Sequence, residues 1–283
     1  MFLTALAFQG PALARVGRVT AVFWPETESI AIELAEWVDP AAQWPGLNDP
    51  QRFPFRLIVT PDQRTFDSVT AGRIPGWGAG ATFPASSTII LVAGGNIHQV
   101  LRHEMAHLTL RNAVGRVPLW FDEGYASRVA GEWNRLEALR VNWAMVRGRV
   151  PSLFQLNRYL RSGAASARAS YALATTAVLY LERLGRKRGL RPLMRALELT
   201  PDFDQALRRT YGLTLDQFEG RWQRELRGRY GWLLLVTSFS VFWSVVAGLL
   251  LALWVRRRRR DRIRRAGLDD GWVVFDGGEY PPS

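Results

Sequence analysis

The chain contains no cysteine, a single lysine (Lys187) and three histidines in 283 residues. The missing cysteines exclude a disulfide framework and any thiolate-held metal site. The composition is otherwise that of a folded protein: 48% of positions are apolar, with 12 Trp and 14 Phe. That supply of core residues excludes wholesale disorder.

A formal charge of +12 first points to nucleic acid, but the charge is concentrated in one place. Residues 256–265 (RRRRRDRIRR), from Arg256 to Arg265, carry a net +7, and the tail 266–283 holds four acids and no base. The rest of the chain has no basic block, so no nucleic-acid partner is expected.

Ahead of the arginines lies 232–255, a stretch of 24 residues without charge, interrupted only by Thr237, Ser238, Ser240 and Ser244. At about 1.5 Å per helical residue it is long enough for a hydrocarbon layer of about 30 Å, so a transmembrane helix is expected. By the positive-inside rule the C-terminus is then cytoplasmic, with lipid headgroups contacting Arg256 to Arg265 and the preceding domain outside the cell membrane. Export needs a signal. Residues 1–14 read as a signal peptide, with apolar FLTALAF at 2–8 and Ala12-Leu13-Ala14 in the form of a cleavage site. The chain thus divides into 1–14, a domain over 15–230, a span over 232–255, and a basic segment with a disordered tail over 256–283.

Within that domain, strands are expected at 17–24, 55–60, 79–84 and 88–93, with a helix over 26–37 behind Pro25. After Asn96 the pattern becomes helical, with Gly115 as the first stop. Further helices are expected at 121–133, 136–146, 171–184, 192–199, 203–209 and 215–226. This is an α+β arrangement, a mixed sheet followed by a mainly helical half.

The three histidines are His98, His103 and His107, and the last two frame His103-Glu104-Met105-Ala106-His107. On a helix this H-E-x-x-H puts both imidazoles on one face, within reach of one zinc ion, with Glu104 placed to act on a water molecule. His98 falls about 140° away around the helix and receives no role. Zinc needs a third protein ligand, and Asp122-Glu123 follows in Trp120-Phe121-Asp122-Glu123-Gly124-Tyr125-Ala126. Spacing alone does not separate the two acids.

H-E-x-x-H followed by Trp-x-x-Glu-Gly-x-Ala resembles the gluzincin metallopeptidases, in particular the bacterial peptidase-MA-like domain, over about residues 17–228. The similarity includes Trp77-Gly78-Ala79-Gly80-Ala81-Thr82-Phe83-Pro84 before the motif, and Tyr171-Ala172 to Tyr180-Leu181 after it. It implies a zincin-like fold with His103, His107 and Glu123 holding Zn2+, and with Asp122 supporting a ligating imidazole. It also implies Glu104 as general base toward a zinc-activated water, and Tyr171 as donor to the oxyanion. A peptide or protein substrate would lie along the edge formed by 76–83. The expected protein is a membrane-anchored zinc metallopeptidase, the alternative a catalytically silent zincin-like binding module at the membrane.

Overall fold

Residues 10–38, 44–47, 53–74, 78–134, 137–138, 141, 150–161, 164–230 and 232–269 are described in the computed structural model. The chain falls into two units, Met1–Gly231 and Trp232–Ser283.

The first unit opens with a hairpin of β1 (Ala12–Val16) and β2 (Val19–Phe23), turned at Gly17, whose φ of +53° suits a residue without Cβ. A short 3-10 turn leads into α1 (Glu28–Trp37). Strand β3 (Phe55–Thr60) and helix α2 (Gln63–Val69) follow, the helix capped by Asp62, which accepts from the Thr65 N–H at 2.8 Å. Strands β4 (Gly80–Phe83) and β5 (Thr88–Val92) complete a five-stranded sheet in the order β1-β2-β3-β5-β4. Its three central strands are parallel, and the two edges, β1 and β4, run antiparallel to their neighbours.

Side-chain alternation decides what covers each face. Val19, Ala21, Leu57, Val59, Ile89 and Leu91 point to one side, where they pack with α1 and with α3 (Ile97–Val114). Ile90 and Ala81 point to the other, against Phe66 of α2. With both faces covered, β5 reads as the apolar run TIILV instead of an alternating strand.

Helix α3 joins this sheet to the helical half and ends at Gly115. Leu101, Met105 and Leu108 pack toward the sheet, whereas Ala106, Leu110 and Val114 enter the second core. That core gathers α4 (Leu119–Val129), α5 (Leu153–Arg161), α6 (Ala164–Leu184), α7 (Arg191–Leu199), α8 (Phe203–Tyr211) and α9 (Leu215–Tyr230). Trp120, stacked on Phe218, anchors α4 in it. Gly124 brings α4 against α6 so closely that a Cβ there would lie 2.5 Å from the Ala174 carbonyl oxygen.

The expected α+β order of a mixed sheet and then a helical region is present. The helix expected over 136–146 lies largely outside the described residues, as do residues 1–9 of the segment read as a signal peptide; Ala12, Leu13 and Ala14 are part of β1.

The second unit corrects the expectation of a transmembrane helix over 232–255. Residues Trp232–Asp269 form a helix, α10, but among the described residues no helix is long and apolar enough to cross a membrane. The membrane anchor therefore falls away, and with it lipid as a partner of Arg256 to Arg265. The same holds for the cell-membrane location, with the domain outside and the C-terminus cytoplasmic, and for the silent module at the membrane. Residues 270–283 lie outside the described residues.

Candidate metal centre

Helix α3 buries one face against the sheet and another in the helical core, and turns a third toward an open cleft. On this third face His103 and His107 stand one turn apart, their ring centroids separated by 4.9 Å. Glu123, from the first half of α4, completes the group: its Oε2 lies 3.5 Å from His103 Nε2 and 3.6 Å from His107 Nε2. These three side chains, all partly buried, form a cluster able to hold a metal ion.

The spacing fits such an ion. Bonds of about 2.0–2.1 Å in tetrahedral geometry put neighbouring donor atoms about 3.4 Å apart. The opposite ring nitrogens are already engaged. His107 Nδ1 donates to Asp122 Oδ1 at 2.7 Å, and His103 Nδ1 donates to Glu132 Oε1 at 3.0 Å. A carboxylate can only accept, so each bond fixes a tautomer that leaves Nε2 available to a metal.

Electrostatics fit the same use. Burial disfavours charge on either imidazole, but Glu123 and Glu132 outweigh it and hold His103 well above its ordinary pKa. At His107 the same opposition of burial by Asp122 and Glu123 ends with the pKa raised to about 9. Glu132 shows the reciprocal effect: burial works against its charge, and the bond to His103 prevails, lowering its pKa. Protons on the two imidazoles balance the charge of these carboxylates.

Glu104 is buried on α3 at 8% exposure, and its carboxylate lines the same cleft as the triad. Thr82 of β4 contacts it, with Oγ1 2.6 Å from Glu104 Oε2. Tyr171 also lines the cleft, its ring centroid 6.4 Å from that of His103. Burial, followed by the charges of Glu123, Glu104 and Glu132, raises its phenol pKa above the ordinary range. Tyr171 does not begin its helix, because α6 starts at Ala164. The cleft has a volume of about 650 Å³, with Ile74, Val100, Leu119 and Leu160 as apolar lining. Its β4 wall covers part of the edge expected over 76–83, and residues 75–77 lie outside the described residues.

No protein-family model matches the chain, and a search of curated proteins finds no match. The chemistry rests on the side chains.

The fold thus brings together His103, Glu104, His107, Asp122, Glu123 and Tyr171. His98 stands elsewhere, 3.1 Å from Glu33 and edge-on to Trp37. Sequence reasoning missed Glu132 and did not single out Thr82. Glu132 follows the end of α4 without any periodic pattern, and its contact with His103 spans 29 residues. The one available signal was that two ligating imidazoles need two partners, whereas Asp122 supplies only one.

Proposed function

We propose that this chain is a zinc metallopeptidase of the gluzincin type, with His103, His107 and Glu123 as ligands. The observation that carries the reading is the placement of the H-E-x-x-H histidines and a third carboxylate at metal-binding distances, in a cleft shared with Glu104. A zinc ion held there supplies a Lewis acid that acidifies water and polarises a carbonyl oxygen.

The remaining chemistry belongs to the chain. Glu104 takes a proton from the water attacking the scissile carbonyl and passes it to the leaving amine. Tyr171, kept protonated by burial and by neighbouring carboxylates, donates a hydrogen bond to the developing oxyanion. Asp122 and Glu132 hold the imidazole rings in orientation. The outer edge of β4 offers main-chain groups to an extended peptide, and the apolar lining of the cleft receives its side chains.

The test is removal and return of metal. Dialysis against a chelator is expected to abolish hydrolysis of a mixed peptide pool, and one equivalent of zinc to restore it. Hydrolysis that survives complete metal removal would contradict the reading. A protein that binds zinc and cleaves nothing would instead be a metal-binding module.

A further inference from the structure

Strand β4 touches the proposed base at two positions on one face. Gly80 and Thr82, two residues apart, both point toward α3, while Ala81 between them faces the Phe66 core. A Cβ on Gly80 would lie 2.9 Å from both Cγ and Oε1 of Glu104, and 2.7 Å from Val100 Cγ1. Thr82 makes the polar contact: its Oγ1 lies 2.6 Å from Glu104 Oε2 and 2.9 Å from the Glu104 carbonyl oxygen. A hydroxyl has one proton to donate, and the shorter contact goes to the carboxylate, where charge strengthens it.

We propose that Thr82 is a positioning residue for Glu104, a role that rests on the peptidase reading above. Glutamate has three side-chain torsions, and unrestrained it visits orientations that aim its oxygens away from the cleft. The Thr82 hydroxyl occupies Oε2 and leaves Oε1 to take the proton. Gly80 leaves room for this arrangement, since any side chain there would displace the carboxylate. The pairing of Gly80 with Leu91 and of Thr82 with Ile89 fixes β4, so the hydroxyl is presented from a held strand. Substrate bound on the free edge of β4 and the base held on its inner face are thereby aligned by the same four residues.

Thr82→Val keeps the shape and removes the hydroxyl, while Thr82→Ser keeps the hydroxyl. With zinc-loaded full-length protein, the valine variant is expected to lower kcat on the order of 10- to 100-fold, the scale of a hydrogen bond to a charged group. Its KM should stay within about twofold, and Thr82→Ser should restore kcat to within about threefold of wild type. A structural role alone would lower metal content or Tm, or move KM. If Thr82→Val folds poorly, Thr82→Ala takes its place. Unchanged kcat in the valine variant, or equal loss in the serine variant, would overturn the role of Thr82 and leave the peptidase reading intact.

If the wild type cleaves no peptide, the peptidase reading fails, and affinity for a peptide hydroxamate decides on Thr82. A hydroxamate chelates the metal and places a hydroxyl beside the base carboxylate. Affinity lost in Thr82→Val as it is in Glu104→Gln would support the clamp. Wild-type affinity in Thr82→Val would overturn it.

Discussion

His103 and Glu132 are joined by a 3.0 Å contact that parallels the 2.7 Å contact between His107 and Asp122. Each of the two rings thus has its own carboxylate, one from α4 and one from just beyond it. Removing either partner should cost about 10- to 100-fold in metal affinity without abolishing binding. Glu132→Ala and Asp122→Asn are therefore expected to retain one equivalent at saturating zinc, while Glu123→Ala and His103→Ala lose it. Competition titration against a chromogenic chelator measures both. Loss of zinc from Asp122→Asn together with retention in Glu123→Ala would reverse the assignment of the two acids.

The same carboxylates set a pH dependence. His107 is raised to about 9 from an ordinary 6.5, so its contacts stabilise the metal-free fold fully below about pH 6.5. That contribution is lost as pH rises through about 9, and Tm of the metal-free protein should fall over that range. Metal competes with these protons, so its stabilisation runs the other way and grows with pH. Thermal melts with and without zinc should show a larger zinc-induced increase in Tm at pH 9 than at pH 6.5. An increment independent of pH would show that no protons are displaced.

Tyr171 donates in the transition state on this account, so its loss should appear in kcat. Tyr171→Phe is expected to lower kcat by about 10- to 100-fold, with a smaller rise in KM. Steady-state kinetics on a cleaved peptide provide the measurement, and unchanged kcat would make Tyr171 a packing residue.

The approach of α4 to α6 can be tested through stability. At 2.5 Å from the Ala174 carbonyl oxygen, the methyl of Gly124→Ala must push two helices apart, at a cost of about 1–3 kcal/mol. Those helices carry Glu123 and Tyr171, so the shift should also reduce turnover. Denaturant unfolding at wild-type midpoint would contradict the close packing.

Local patterns revealed what depends on local geometry. The side of α3 that carries His103 and His107 was legible because i to i+4 spacing fixes where two imidazoles point, and β3 and β5 because apolar runs bounded by turn residues have few other uses. Strand β1 was not legible: an edge strand with Leu13 70% exposed looks like the end of a leader segment until it pairs with β2. The start of α6 was lost in the alanine- and serine-rich stretch from Ala164, which carries no apolar stripe. The seven-residue α2 and the short α5 were also overlooked, α5 despite Leu153, Leu156 and Leu160 at helical spacing. Contacts such as Glu132 to His103 and Thr82 to Glu104 join distant segments, and no local pattern encodes them. The expectation of a span over 232–255 rests on its length, its lack of charge and the arginines that follow it, and among the described residues no helix is long and apolar enough to cross a membrane.

The central claim, that this is a zinc peptidase with Glu104 as its base, is tested most directly by Glu104→Gln. Zinc content and peptide turnover should be measured on the same preparations of wild type and variant. The account predicts one equivalent of zinc in both, with turnover lost at least about 100-fold in the variant, the lower end of the range for a general base. Equal turnover in wild type and Glu104→Gln, with zinc bound in both, would contradict it.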